Sequence, residues 1–436
     1  MATARNERQL AALKGVARRI ADRLDLDASL RLWDGSLTPL GTAVSSSMEL
    51  RIAGPGVVGS LLRRPTLDNV IRHYIGKGVD FSGGTLIDLA AGLATRDRSA
   101  KFGAMEMLGL AAKLSPFLFA GAARAKDGHG FEGDSTGRGR KTGDNKEFIR
   151  FHYDLSNDFY ALFLDSSMVY SCAYFTDWNN GVEQAQRDKL DMICRKLRLA
   201  PGDRFLDIGC GWGGLVCHAA RHYGVEAHGV TLSEEQLAFA RQRIAREGLE
   251  GRVTLKLEDY SRLTGSFDKI ASIGMYEHIG LANIPAYMRT VRGLLAEDGL
   301  FLNHAISRRA LKPSWRREKQ RPEQRAIRKY IFPGGELDDI GHTVAAMERA
   351  GFEVHDVEAW RMHYARTTKL WCERLVAEET RAIRFAGEEK YRIWVLYLAG
   401  VSLAFQRGTM RLYQTLASKS AKRPPKLPPT RADLYR

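Results

Sequence analysis

From Arg204 to Gly214 the chain passes from a short apolar run, Phe205 to Ile208, through glycines at 209, 211, 213 and 214 into a helical pattern. Strand, tight turn and helix are the elements such a stretch forms. Glycines at 209, 211 and 213 let the backbone turn sharply and approach a flat or anionic ligand, while the free N–H groups of the following helix point at the same place. A nucleotide-like cofactor belongs at this turn. The alternation that follows predicts helix Gly214 to Tyr223, strand Val225 to Thr231, helix Glu234 to Glu247 and strand Arg252 to Leu257. It continues with strand Phe267 to Ile273, helix Ile284 to Leu295 and strand Leu300 to Ile306. Strands separated by helices give a parallel sheet with right-handed crossovers, in which ligands bind beyond the carboxyl ends of the strands.

The spacing of Gly209, Gly211 and Gly214 also fits a dinucleotide turn, a weak signal by itself. Two details redirect it. Asp207 stands two residues before the first glycine, and the next strand ends in Val230, Thr231, Leu232 and Ser233 without the acid that would hold a dinucleotide ribose. This pattern resembles the first motif of Class I methyltransferases, which implies S-adenosylmethionine as cofactor. A turn carboxylate bonded to nearby backbone is the plainer reading of Asp207.

Residues at the strand ends carry the remaining chemistry. Ser233 and Gln236 fit a capping box, and Thr231 or Gln236 also stands where neutral hydrogen bonds would reach a ribose. Glu258, Asp259 and Tyr260 end the third strand, either as a solvated strand end or where an adenine ring would reach. Glu277 and His278 emerge at the end of the fourth strand, where a carboxylate is costly unless paired or functional. His304 and Ile306 lie two apart on the fifth strand and share a face, making Glu277 and His304 a plausible site.

Ahead of this domain, Leu10, Leu13, Val16, Ile20 and Leu24 form an amphipathic stripe, read as packing on its own domain in preference to a lipid surface. Strand-like runs at Leu30 to Trp33 and Met48 to Ile52 alternate with helical segments at Thr66 to Tyr74 and Ala104 to Phe119. Six glycines among charges between Asp127 and Asn145 mark a flexible linker. The expected organisation is therefore a smaller domain over residues 1–125, a linker over 126–145 and a catalytic domain over 146–436. The apolar run Ile393 to Phe405 is too short to span a bilayer and reads as a buried helix. No signal-peptide pattern follows the basic N-terminus, and five cysteines without regular spacing argue against disulfides or a structural metal site. A reducing cytoplasm fits.

Five segments in order resemble the cyclopropane-fatty-acyl-phospholipid synthases and the related mycolic acid cyclopropane synthases. They are His152 to Asp154, Tyr170 to Tyr174, Leu206 to Gly214, Gly274 to His278 and Lys329 to Gly334. The resemblance implies a Rossmann-like Class I methyltransferase domain of α/β class with a mostly parallel sheet, preceded by a smaller α+β lipid-binding domain. It further implies methylene transfer from S-adenosylmethionine to the cis double bond of an unsaturated phospholipid acyl chain. In that chemistry the alkene takes the sulfonium methyl, a carbocation forms, a proton leaves and the ring closes. By the same resemblance a bound bicarbonate takes the proton, held by Cys172, Glu277, His304, Tyr364 and the backbone at Ile306. Cofactor contacts fall on Tyr170, Ser171, Gly209, Gly211, Thr231, Leu232 and Gln236, alongside Asp207 and Asp259.

The residues read alone give Cys172 a packing or hydrogen-bonding role, since no base is stationed beside it. Tyr364 reads alone as a half-buried helical tyrosine. The formal net charge of +15 implies an anionic partner, either nucleic acid or an acidic membrane surface. An acidic membrane suits it, because no base-flipping loop of the Asn/Asp-Pro-Pro-Tyr type ends the fourth strand, which argues against nucleic acid. Ten Lys or Arg stand between Arg308 and Lys329 against Glu318 and Glu323, a longer basic insertion than the resemblance leads one to expect. Peripheral attachment to the inner face of an anionic membrane is the expected location, and a homodimer is left open. A methyl-branched or methylene fatty acid, formed by loss of a different proton, is the rival product.

Overall fold

In the computed structural model, residues 2–94, 103–118, 120, 130–131, 155–310, 322–419 and 427–435 are described. The linker expected over 126–145 apart from residues 130 and 131, the His152 to Asp154 motif and most of the basic run after Arg309 lie outside them. The chain divides into two units: residues 1–130, 319–327 and 387–403 in the first, and 131–318, 328–386 and 404–436 in the second.

The second unit is built on seven strands: β5 Arg204–Ile208, β6 Glu226–Thr231, β7 Val253–Leu257, β8 Phe267–Ile273, β9 Leu295–Arg308, β10 Phe352–Ala359 and β11 Met410–Lys419. Their spatial order is β10-β11-β9-β8-β5-β6-β7. Neighbours from β9 through β7 pair in parallel, and β11 runs antiparallel to both β9 and β10. Side chains alternate across the sheet, so β5 sends Phe205 into one core and Leu206 and Ile208 into the other. Helices Gly214–Tyr223 and Glu234–Arg246 supply Val216, Ala220 and Ala240 to the first core, and helix Ile284–Leu294 supplies Tyr287, Met288 and Val291 to the second. Strand order reverses at β5, which places a crevice beyond its carboxyl end.

Two departures from the sequence reading shape the site. β9 extends on both sides of Leu300 to Ile306: it pairs with β8 from Phe267↔Leu295 and with β11 as far as Arg308↔Met410. β10 and β11 are not among the strands expected from the sequence, and β11 carries no clear alternation, since it buries both faces over most of its length.

The first unit holds the strands β1 Ser29–Arg31, β2 Leu37–Pro39, β3 Glu49–Ile52 and β4 Val79–Ser82 in the order β2-β1-β3-β4. Only β1 and β3 pair in parallel. Arg31 on β1 clamps Glu49 on β3 in a two-point contact of 2.6 and 2.7 Å. Helix Ala2–Leu24 buries Leu13 and Ala17 against Leu30, Leu32 and Phe117, so its apolar stripe is spent on its own core. Helix Ala104–Lys113 is shorter than the expected Ala104 to Phe119, which ends in a separate 3-10 turn at Ser115–Phe117. Gly387–Leu403, read from sequence order as part of the C-terminal domain, belongs to this unit. There Arg392, nearly enclosed, donates to the carbonyl of Tyr74 and to Asp80, both at 2.8 Å.

Candidate active site

The turn after β5 shows why glycine is required. Gly209 and Gly211 have φ of +83° and +54°, which side-chain-bearing residues rarely adopt. A Cβ on Gly209 would lie 2.9 Å from Met275, whereas one on Gly211 would meet nothing within 4 Å and would project into open space. That space is a cleft. Tyr170, Ser171, Asp207, Gly209, Gly211, Thr231, Leu232, Gln236 and Asp259, the nine residues assigned to a cofactor, all line it.

Partners hold each wall. Ser233 Oγ accepts from the backbone N–H of Gln236 at 3.3 Å, the first half of a capping box. The second half is absent, because the Gln236 side chain turns instead to Thr231, whose hydroxyl donates to Gln236 Oε1 at 2.8 Å. Asp259 caps the turn at Tyr260–Arg262 through the N–H of Ser261 at 2.9 Å. The Tyr170 ring is boxed by Tyr160, Phe163 and Trp371 at centroid distances of 5.6, 6.2 and 5.3 Å.

Asp207 is not the backbone-bonded turn carboxylate of the plainer reading. Its Oδ1 is buried without a hydrogen-bond partner. Burial pushes its carboxyl up to about 7, opposed by the positive charge of Lys189. Lys189, from helix Val182–Lys196, also lines the cleft and donates to Ser171 Oγ at 3.0 Å. Burial pushes its ammonium down to about 8. Sequence reasoning passed over Lys189, because a lysine in an amphipathic helix reads as surface. It also missed Arg243, whose buried guanidinium donates to the carbonyls of Ser166, Ser167 and Trp212 and so ties the glycine turn to the segment before Tyr170.

The five residues assigned to catalysis form a second group, none of them among the residues that line this cleft. Glu277 Oε1 accepts from the Ile306 N–H at 2.5 Å, so the backbone donor that the resemblance gives to an anion is engaged here by Glu277. Cys172 and His304 gather on Trp360, which caps the helix that carries Tyr364 in its first turn. The Trp360 carbonyl lies 3.9 Å from the Cys172 sulfur and accepts from the Tyr364 N–H at 3.1 Å. The His304 ring stands edge-on to the indole at 5.5 Å. Cys172 is fully buried and its thiol is raised far above the usual range, which rules it out as a thiolate nucleophile at neutral pH. Tyr364 is buried, packed between Trp371 and Phe405 at 6.1 and 4.8 Å.

Two polar atoms of this group are buried without hydrogen-bond partners: Glu277 Oε2 and His304 Nε2. Burial pushes Glu277 up to about 7 and holds His304 well below its ordinary value, hence neutral. Buried groups of this kind need partners, and a small hydrogen-bonding anion would supply them. Glu277 Oε2 and His304 Nε2 are thus the atoms of this group that such an anion would satisfy, whereas the Ile306 N–H is already bonded and the Cys172 sulfur contacts the Ala173 carbonyl at 3.2 Å. The two groups adjoin through Gly274, which lines the cleft and donates its N–H to the His304 carbonyl at 2.8 Å.

Residues 140–415 match the family model described as mycolic acid cyclopropane synthetase. A "probable fatty acid methyltransferase" of Pseudomonas putida is 38% identical, covering 95% of this chain and 97% of that protein. The cyclopropane-fatty-acyl-phospholipid synthase of Escherichia coli K12 is 39% identical over 62% of this chain and 66% of its own length. Mycolic acid cyclopropane synthase CmaA1, solved with SAH and CTAB, superposes with a TM-score of 0.59 at 33% identity, covering 63% of this chain and 98% of that one.

Proposed function

The chain belongs to the mycolic acid cyclopropane synthetase family, and on that premise we propose that it transfers a methylene group from S-adenosylmethionine to the cis double bond of an unsaturated phospholipid acyl chain. The observation that carries this reading is the pair of unpartnered buried atoms, Glu277 Oε2 and His304 Nε2, beside a cleft lined by the nine residues assigned to the cofactor. When bound, S-adenosylmethionine supplies an electrophilic methyl carbon; bicarbonate, when bound, supplies a proton acceptor.

The chain's own residues do the rest. Thr231 fixes the Gln236 carbonyl, leaving the Gln236 amide N–H groups for a ribose. Lys189, through Ser171, and Asp207 place one positive and one negative group in the same cleft, suited to the charged amino-acid end of the cofactor. Tyr170, Trp371, Tyr364 and Phe405 form a chain of ring contacts. Such a wall excludes water from a greasy substrate, and its ring faces stabilise positive charge developing on the acyl chain. Glu277 and His304 hold the anion by hydrogen bonds, with Cys172 and Tyr364 close to it. The first unit is assigned to lipid binding, and the chain's positive charge to peripheral attachment on an anionic membrane. Among the described residues no helix is long and apolar enough to cross a bilayer.

The name carried by the Pseudomonas putida relative favours a second reading, in which a different proton is lost and a methyl-branched or methylene fatty acid results. Incubation with labelled S-adenosylmethionine and unsaturated phospholipid vesicles, followed by mass spectrometry of the lipid, separates the two by hydrogen count and ring behaviour. Label absent from every lipid fraction would sink both.

A further inference from the structure

We propose that Lys196 and Gln414 are positioning residues that fix the tautomer of His304, leaving Nδ1 as an acceptor and keeping the proton on Nε2. Lys196, at the end of helix Val182–Lys196, is almost fully enclosed. Its ammonium pairs with Glu358, lies 5.2 Å from the centre of the Trp360 ring and donates to Gln414 Oε1 at 2.7 Å. An ammonium carries donors only. Gln414, on β11 directly opposite His304 in the β9 pairing, must therefore turn its carbonyl oxygen to Lys196 and its NH2 the other way. That NH2 lies 3.0 Å from His304 Nδ1.

An amide NH2 can only donate, so Nδ1 must offer its lone pair. Burial and the nearby charges of Lys189 and Lys196 keep the ring neutral. A neutral imidazole with a free lone pair on Nδ1 carries its one hydrogen on Nε2, the atom that has no partner in the fold. His304 is thus a hydrogen-bond donor held ready for an anion, not a proton acceptor. Lys196 determines this through one intervening amide, whose two ends only chemistry tells apart. The tautomer rests on this geometry alone; its use in holding an anion rests on the function proposed above.

The full-length protein, labelled with 15N-histidine and free of ligand, tests it by two-bond 15N–1H correlation, with His304→Gln identifying the resonances. The expected spectrum has a protonated Nε2 and a bare Nδ1. Gln414→Glu replaces the donor by a carboxylate and is expected to move the proton to Nδ1. Turnover should then fall about ten- to a hundredfold, the usual effect of disturbing the group that orients a ligating histidine, with S-adenosylmethionine affinity unchanged. Lys196→Met frees the amide to rotate and is expected to give a mixture of tautomers. A wild-type spectrum with the proton on Nδ1 overturns the proposal even if neither variant folds, as does a folded Gln414→Glu that keeps Nε2–H and full turnover. A wild-type spectrum as expected, in a protein that binds the cofactor yet modifies no lipid, supports the tautomer and removes only the reaction it was to serve.

Discussion

The cofactor cleft and the cluster around Trp360 adjoin, yet they are built by opposite means. The glycine turn presents backbone at positive φ, and its essential residues lie within one short stretch, 207–211. The cluster brings Cys172, Glu277, His304, Trp360 and Gln414 from separate parts of the chain, held together by side-chain contacts. A backbone site fails when a side chain intrudes on it. A side-chain site fails when one partner loses its counterpart. Substitutions in the first region should therefore cost affinity, and those in the second turnover.

The largest expected effect tests that division at Glu277. Glu277→Gln keeps the size of the side chain and the acceptor for the Ile306 N–H but removes the ionisable group. Turnover should fall about 10²–10⁴-fold, as for loss of a group managing a proton, while calorimetry gives an unchanged S-adenosylmethionine affinity. Equal losses in both would merge the two regions into one.

Gly211→Val probes the other side. A Cβ there points into the open cleft, and valine at φ +54° adds strain of about 1–2 kcal/mol. Cofactor affinity should drop on the order of a hundredfold, equivalent to about 3 kcal/mol, in a protein whose circular dichroism is retained. Full affinity would place the cofactor elsewhere.

A third contrast is electrostatic. Asp207 and Glu277 are both raised to about 7 by burial, but only Asp207 has a lysine charge opposing the shift. A carboxyl whose folded value lies above its unfolded value favours the fold below the unfolded value, near 4, and loses that contribution as pH rises through about 7. Glu277→Gln should accordingly be near neutral for stability at pH 4 and stabilising by roughly 3 kcal/mol at pH 8. Asp207→Asn should gain less, because Lys189 loses its counter-charge. Denaturant melts of both variants at the two pH values measure this; a gain at pH 4 that vanishes at pH 8 would reverse the sign of the argument.

The same contrast explains which parts of the molecule are legible in its sequence. The glycine turn, Asp207, Thr231 and Gln236 were legible because a backbone cradle demands particular residues at fixed spacing. Short apolar runs and helical patterns gave β5 to β9 and their helices, since strands that meet helices on both faces read as continuous apolar runs. β11 was not legible: Gln414, Thr415 and Ser418 are buried polar residues, and they break the apolar pattern that would mark a strand. Glu277 and His304 stood out by position, but Cys172 and Tyr364 entered only through resemblance. Lys189, Lys196 and Gln414 gave no signal, because a buried lysine and a buried glutamine are distinguished from surface ones only by partners distant in the chain. Packing contradicted the capping box in one detail, sending the Gln236 side chain to Thr231.

That detail yields the smallest prediction and the finest test of how the cleft is organised. The Thr231 hydroxyl donates to Gln236 Oε1 and accepts from the Ser233 N–H at 3.2 Å, so it joins the end of β6 to the start of the next helix. Thr231→Val preserves shape and removes both bonds, at a cost of about 1 kcal/mol for a buried hydrogen bond lost without change of packing. Released from Thr231, the Gln236 amide can rotate, and a ribose would meet either end of it. Cofactor affinity should weaken about fivefold, the equivalent of about 1 kcal/mol, with turnover at saturating cofactor unchanged. Gln236→Leu should weaken binding at least as much and, combined with Thr231→Val, add little, because both act through one contact. Fully additive losses in the double variant would mean that Thr231 and Gln236 reach the cofactor independently, and that the hydrogen bond between them only caps the helix.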